Sequence, residues 1–510
     1  MLVLRRSPLQ WALLAAALLS GPALAEQPLS ADLRSLLDKL NARIEKLEQR
    51  NAELERQIDK PGAKAIEKRL QALEATQAGI DKGLESDSIS QYEPDLTSRL
   101  KAVEKDALEM KKAARKIDAL DGLRAGASLT TAAQKPYGLP RGTVDGNSQL
   151  NYRADIIAEL PLEPIGAIDH KLFGHFRIGQ GDGLNAPLAR LDAFARAPNA
   201  TAFRASGSPP DDSVAILGEA WYQASIPLPH GGFKPHSREN IDLTFGKMDI
   251  FGFFDQNTNA GDESRQFLNS VFVHNPLLDA GGQVGVDANG FQPGFIVAYN
   301  NKSRKASTWR LSLGAFGSGS RGANYQRTFS SPLLIAQAET SLKLTDGLAG
   351  NYRFYTWRQG QGQDLDGSVA KQSGWGVSAD QQVAGGVSVF GRYGRLMQGK
   401  VPFNRALTLG LEQNGAAWSR ASDAISISAG WLQSSKGFRT SGGSADLDGD
   451  GNTDFRYVPN GAERILEIYY RYRVSKQFEL SPDFQYISRP GANPDAKAVK
   501  VLGLRAQFAF

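Results

Sequence analysis

Val499-Lys500-Val501-Leu502-Gly503-Leu504-Arg505-Ala506-Gln507-Phe508-Ala509-Phe510 is the stretch that decides the fold. Leu502, Leu504, Ala506, Phe508 and Phe510 fall on one phase of a period-two pattern, with Lys500, Arg505 and Gln507 as polar residues along the same run. Successive side chains of a strand point to opposite faces, so the segment has a greasy side and a wet side. A strand of this kind that ends on an aromatic residue is what a membrane-crossing sheet requires. Such a sheet must close, its last strand pairing with its first, so that no polar backbone edge meets lipid. The expectation is an all-β transmembrane barrel.

The other end of the chain gives the address. Arg5 and Arg6 precede an apolar run from Trp11 to Leu19, and Ala23-Leu24-Ala25 supplies small residues for cleavage. Residues 1–25 therefore read as an export signal, with the mature chain expected to begin at Glu26. No later segment approaches 18 uninterrupted apolar residues, which excludes helical membrane insertion. Absence of cysteine excludes disulfides, thiol catalysis and thiolate metal sites. The chain is slightly hydrophilic on average, as expected when lipid-facing and water-facing residues alternate. The formal charge of +5 becomes nearly balanced once Arg5 and Arg6 leave, so nothing points to nucleic acid.

Between signal and barrel the period changes. Leu33, Leu40, Leu47 and Leu54 recur every seven residues, interleaved with Leu37, Ile44, Asn51 and Ile58. Leucine at d, β-branched residues at a and one polar a residue together predict a coiled coil, hence a homo-oligomer. Weaker seams follow Pro61-Gly62 and Pro94. The pattern does not separate dimer from trimer; a trimer is expected. If helical throughout, this α-helical segment would reach on the order of 130 Å, enough to extend into a periplasm and contact peptidoglycan or a periplasmic partner. Residues 26–124 are assigned to the coiled coil, 125–147 to a linker rich in Gly, Thr, Ala and Pro, and 148–510 to the barrel.

From Gln149 onward the period is two. Leu150, Tyr152, Ala154, Ile156, Ala158 and Leu160 alternate with Asn151, Arg153, Asp155 and Glu159. Fourteen further strands are expected: Lys171–Ile178, Val214–Ile226, Asn240–Met248, Gly294–Tyr299, Thr308–Phe316, Leu333–Leu344, Gly350–Arg358, Gly374–Gln381, Gly386–Arg395, Arg405–Gln413, Ala424–Leu432, Glu463–Val474, Phe478–Ile487 and Val499–Phe510. Bacterial single-chain barrels carry even numbers, so sixteen is expected, with the missing strand sought near Gln283–Val286. Trp221-Tyr222, Tyr352, Phe354, Trp357, Tyr469-Tyr470, Tyr472 and Tyr486 fit the aromatic girdles of such barrels.

Two blocks carry a family resemblance. The first is Gly218-Glu219-Ala220-Trp221-Tyr222, then Leu243 to Asp249, Phe254-Asp255, Asp262-Glu263, Gln266 to Ser270 with Phe272, and Asn275-Pro276. The second is Glu467 to Tyr470, Leu480 to Ile487, Pro490-Gly491 and Gly503-Leu504-Arg505. Their order resembles the carbohydrate-selective porins of the OprB type. The resemblance implies a sixteen-stranded barrel narrowed by inward loops that passes glucose and other sugars by diffusion. The long helical N-terminus departs from compact members.

The residues support that chemistry. Phe251 to Asn275 is polar and too long for a tight hairpin, which suits an inward constriction loop. Sugars need donors and acceptors together with aromatic faces, at weak sites that let solute leave. Glu219, Lys247, Asp249, Asp255, Asn257, Asp262, Glu263, Arg265 and Asn269 offer the first, and Trp221 or Phe272 the second. The competing reading for Asp262, Glu263 and Arg265 is that they pin the loop to the wall. Arg353, Arg471 and Arg473 on the polar phase of their strands would attract anions if unpaired. That would make a porin for phosphate or acidic sugars; pairing with Glu467 and Asp483 would make these arginines structural.

Asp446, Asp448, Asp450, Asn452 and Asp454 alternate like the front of a calcium loop, with Gly451 at the turn position and Tyr457 where the bidentate Glu would stand. A structural Ca2+ is expected there; no cofactor is required for transport. The five histidines show no metal-ligand spacing, and no nucleophile motif stands out, so an enzyme is not expected. A tether or adhesin anchored by the barrel is the remaining alternative to an outer-membrane channel.

Overall fold

The computed structural model describes residues 122–139, 149–184, 197–203, 212–229, 237–278, 290–304, 307–318, 330–344, 347–446, 451–453, 455 and 457–510. The export signal and the coiled-coil seams lie outside these residues, as do Asp448, Asp450 and Asp454.

Sixteen antiparallel strands close on themselves, each hydrogen-bonded to its neighbours in sequence and the last to the first. They are β1 (Arg124–Tyr137), β2 (Gln149–Ile165), β3 (Ile168–Gln180), β4 (Val214–Leu228), β5 (Glu239–Met248), β6 (Gln292–Arg304), β7 (Ser307–Phe316) and β8 (Leu333–Lys343). The second half comprises β9 (Ala349–Gln363), β10 (Val369–Ala384), β11 (Val387–Gln398), β12 (Phe403–Asn414), β13 (Ala424–Ser434), β14 (Ala462–Arg473), β15 (Phe478–Ser488) and β16 (Val499–Ala509). All fifteen expected strands are present. The sixteenth is β1, which occupies most of the stretch expected to be a linker; Gln283–Val286, the place expected for the missing strand, lies outside the described residues. Its register with β16, from Ser128 opposite Ala509 to Tyr137 opposite Lys500, closes the barrel. Small outward residues (Ala125, Ala127 and Ala133) and Pro136 hide its alternation from a hydropathy reading.

Burial follows inverted logic. Leu129, Ile156, Phe176, Phe245, Leu313, Phe354, Leu409, Ile427 and Leu504 are exposed, whereas Arg153, Arg353, Glu467, Gln485 and Arg505 are buried. A water-soluble domain would reverse this. In β16 the phases split cleanly, with Leu504 49% exposed and Arg505 2%. Lys500, grouped above with the polar residues, shares the outward phase of Leu502, one residue in from the start of the strand.

The girdle residues divide in the same way. Tyr352, Phe354, Tyr470, Tyr472 and Tyr486 alternate outward, but Trp221, Trp357 and Tyr469 point in. Trp357 and Tyr469 join Met248, Phe254, Phe267, Phe272, Tyr355 and Phe390 in an apolar cluster inside the barrel. Turns at 166–167 and 385–386 lie at one end, where β6 also ends and β7 begins; β3, β5 and β13 end at the other, ahead of the longest separations between strands. Short periplasmic turns and longer extracellular loops are the usual arrangement of outer-membrane barrels.

Candidate functional site

The segment after β5, described over 249–278, leaves the wall and crosses the lumen. Asp249 starts it: in extended conformation, its carboxylate accepts from the Phe251 amide at 2.9 Å and caps the turn Ile250–Gly252. Asp255 then takes a left-handed φ of 53°, tolerable for a short polar side chain that bonds locally.

Asp255 is the centre of the first anchor. Its Oδ1 accepts from Tyr355 Oη at 2.7 Å and Arg392 Nε at 3.2 Å, and its Oδ2 from the Asn275 amide at 2.6 Å. Arg392 also donates to the carbonyls of Phe272 and Ala260, each at 2.6 Å, and of Asp255 at 3.1 Å. Gly376 makes room for this, because a Cβ there would stand 2.5 Å from the Tyr355 ring. Asn257 adds bonds to Ser378 Oγ and the Ala379 carbonyl, both 3.2 Å.

The far wall provides the second anchor. Glu467, fully buried, accepts from the amides of Leu268 at 2.6 Å and Asn269 at 3.0 Å, while Asn269 Nδ2 donates to Gln485 at 3.0 Å. Arg505 Nη1 donates to the carbonyls of Glu263 at 2.9 Å and Gln266 at 2.6 Å. Arg265 forms a two-point contact with Glu479, at 3.0 and 2.7 Å. The loop is thus fastened to β9, β10, β11, β14, β15 and β16. Charged hydrogen bonds of this kind contribute about 1.5–3 kcal/mol each.

On the remaining side, β2, β3 and β4 face the loop with a connected polar group. Asp155 accepts from Arg153 Nε at 2.8 Å, His175 Nε2 at 2.8 Å and Arg177 Nε at 2.7 Å. Glu219 stands 3.3 Å from His175 Nδ1 and accepts from Trp221 Nε1 and the Asp249 amide, each at 3.2 Å. Arg153 Nη1 reaches Glu263 at 2.8 Å. A register shift in β4 beside His175 puts Glu219 on the inner face, and Gly218 is needed there because a Cβ would meet Phe291 at 2.8 Å. Half-buried rings line the same side: Trp221 stacks on Phe173 at 4.6 Å, meets Phe253 edge-on at 5.6 Å, and Phe251 stacks on His274 at 3.8 Å. Burial pushes the Asp249 carboxyl up to about 6, against the influence of His274 and helped by Glu219. Burial also acts upward on Glu263, but Arg153, Arg177 and His274 outweigh it and hold that carboxyl below the ordinary range.

Of the expected site residues, Glu219, Trp221, Asp249 and Glu263 come together on this side. Asp255, Asn257, Arg265 and Asn269 are engaged in fastening the loop, and Asp262 caps its own turn through the Ser264 amide at 2.9 Å. Lys247 lies on the outward phase opposite Ala220 and donates to the Leu217 carbonyl at 3.0 Å, so strand geometry removes it from the lumenal face. Phe272 is fully buried and offers no free ring. Asp155, His175 and Arg177 were not singled out, although their inward phase was readable from the alternation of β2 and β3. The lumenal arginines are paired, though not as expected: Arg353 meets Glu339 and Asp380, Arg471 meets Glu412 at 3.7 Å, and Arg473 meets Glu479. Near the Asp-rich loop, the Gly451 amide donates to Asp446 Oδ2 at 2.9 Å.

A family model described as "Carbohydrate-selective porin, OprB family" matches residues 179–510. A 138-residue stretch is 26% identical to Porin AaxA of Chlamydia pneumoniae, covering 27% of this chain and 28% of that protein. The chain thus spans under a third of that curated relative. The fold is similar to the high pH structure of Pseudomonas putida OprB, with a TM-score of 0.60 and 19% identity over 78% of this chain and 96% of that one. With the match extending from the end of β3 through β16, this chain belongs to the OprB family of carbohydrate-selective porins.

Proposed function

We propose that this chain is an outer-membrane channel through which small hydrophilic solutes, above all neutral sugars such as glucose, diffuse without energy input. One observation carries the reading: Arg153, Arg177, Arg353, Arg392, Arg471 and Arg473 on the inner wall each meet a carboxylate, so the narrowed passage offers hydrogen bonds without a dominant charge. Arg153 and Arg177 share Asp155, Arg353 has Glu339 and Asp380, and Arg392 has Asp255. This arrangement weakens the alternative of a phosphate or acidic-sugar channel. Hydroxyls of a passing sugar would meet Asp155, Arg177, Glu219, Asp249 and Glu263, and the C–H face of its ring would pass over Trp221 and Phe173. Single-channel recording tests the proposal. Block by glucose with weak ion selectivity supports it; strong anion selectivity with phosphate block would overturn it.

The N-terminal segment is proposed to form a periplasmic coiled coil that holds a homotrimer and reaches toward peptidoglycan or a periplasmic partner. That β1 starts at the short-turn end supports this placement. Asn51→Leu should raise thermal stability and loosen oligomer choice; a monomer before and after would refute the seam. Calcium binding by Asp446, Asp448, Asp450, Asn452 and Asp454 is likewise proposed, as a means of ordering the loop. Protection of that loop from proteolysis by calcium, reversed by chelator, is the test.

A further inference from the structure

The outward face of the barrel is asymmetric in charge in a way that sugar passage does not use. Lys135 on β1, Arg358 on β9, Lys371 on β10, Arg395 on β11, Arg405 on β12, Arg464 on β14 and Lys500 on β16 all lie on outward phases. Each lies within a few residues of the strand end that adjoins the long connections. At the short-turn end the described outward face is sparser in basic residues: Arg304 lies opposite Ser307, Arg420 rests 4.2 Å from the outward Tyr472 ring but is paired with Asp423, and Glu239 is bonded to Tyr299 Oη at 2.7 Å and Asn301 at 3.0 Å. Register makes the basic residues a band. Arg395 stands directly opposite Arg405, and on the next strand pair Arg464 is opposite Trp431. None of Arg358, Arg395, Arg405 and Arg464 forms an ion pair with another described residue. Like charges brought together on a surface without carboxylates raise their own energy, which a bound anion would relieve.

An apolar groove of about 520 Å3 lies beneath one end of this band, across β6 to β10. Phe295, Val297, Leu313 and Leu334 border it, and the small side chains of Ala315 and Ala336 keep it open. Arg358 and Ser373 belong to its rim. Trp375 and Tyr393, 5.4 Å apart, continue the outward face beside it at the level where rings sit between headgroups and acyl chains.

We infer that this face binds a phosphorylated glycolipid of the outer leaflet. One acyl chain would lie in the groove, with the phosphates held by Arg358 and by the Arg395–Arg405–Arg464 series. Charge complementarity selects a phosphate-bearing headgroup, because planar guanidiniums hold phosphate oxygens by paired donors. The position at the long-loop end selects the outer rather than the inner leaflet.

Native mass spectrometry of the detergent-extracted oligomer, with added diphosphorylated lipid A and with its enzymatically dephosphorylated form, tests this. The phosphorylated form should be retained and the dephosphorylated form lost. The Arg358→Gln, Arg395→Gln, Arg405→Gln triple variant should weaken retention on the order of a hundredfold, and the corresponding lysine triple, which keeps the charge but not the paired donors, should restore only part of it. Ala336→Trp should reduce binding by filling the groove, with charge intact. Glucose permeation should be unchanged in all, because these side chains face away from the lumen. Equal retention of the dephosphorylated lipid would overturn the inference. So would collapse of the oligomer in the glutamine triple, which would make this face a subunit contact.

Discussion

Arg392→Met is the most informative single change in the lumen. The wild-type guanidinium donates four hydrogen bonds into the loop, to Asp255 Oδ1 and to the carbonyls of Asp255, Ala260 and Phe272. Methionine keeps much of the aliphatic bulk and removes every donor. Asp255, 1% exposed, would retain bonds from Tyr355 and the Asn275 amide but lose its counter-charge. Breaking a buried ion pair from one side costs about 3–5 kcal/mol. That range is smaller than the four bonds summed at their gross strength, because water enters the lumen and satisfies freed carbonyls. The loop would stay attached through Glu467, Arg505 and Arg265, so the expected change is loosening of residues 255–260 rather than detachment. Single-channel conductance should rise and become noisy, glucose block should weaken, and the folded barrel should convert to its heat-modified gel form faster at a given temperature. Adding Asp255→Asn removes the stranded charge and should recover part of the loss, a coupling of roughly 1–3 kcal/mol. Unchanged conductance together with an unchanged thermal transition in Arg392→Met would show that this anchor does not hold the constriction.

Other changes probe the remaining parts. Glu467→Ala orphans the buried amides of Leu268 and Asn269, at a cost of about 1–3 kcal/mol each; larger conductance is expected, and normal sugar block at normal conductance would count against the second anchor. Gly376→Leu drives the Tyr355 ring away from Asp255, so its conductance should shift in the same direction as Arg392→Met. Trp221→Ala removes a stacking face while leaving the loop anchored, so glucose block should weaken several-fold at nearly constant conductance. For Asp249, the folded protein favours the protonated carboxyl, with the group raised from 3.8 to about 6. Its ionisation therefore withdraws stability as pH rises through that interval. Above pH 6 it adds negative charge beside Glu219 and Glu263, so selectivity for cations should step upward near that value. Asp249→Asn should flatten the step.

The wall of this protein was legible because lipid imposes a rule on every second residue. Fourteen strands after β2 could be read from that rule, and β1 could not. Three of its outward positions are alanine and others are Thr131 and Lys135, so the strand satisfies lipid without announcing it, and Pro136 and Gly126 resemble linker residues. Phase also corrects residues chosen by motif. Lys247 belongs to a family-like block, yet it sits one position away from the inner face because Gly246 takes that place opposite Trp221.

The constriction is a different kind of problem. Leu268 and Glu467 are 199 residues apart, and Asp255 and Arg392 are 137 apart. No local pattern couples such positions. Alternation places both Asp155 and Arg505 on the inner face, but it does not say which of them water reaches. That depends on the path of the loop. Arg505 is buried under backbone carbonyls of residues 263 and 266, whereas Asp155 gathers two guanidiniums and an imidazole from its own and the neighbouring strand. An inward polar residue in a barrel has two fates, facing solute or holding the loop that faces solute. The bonding partners decide between them: Arg505 binds loop carbonyls and fixes the loop, while Asp155 binds side chains of the wall itself, which under the proposed function leaves that wall group to meet solute.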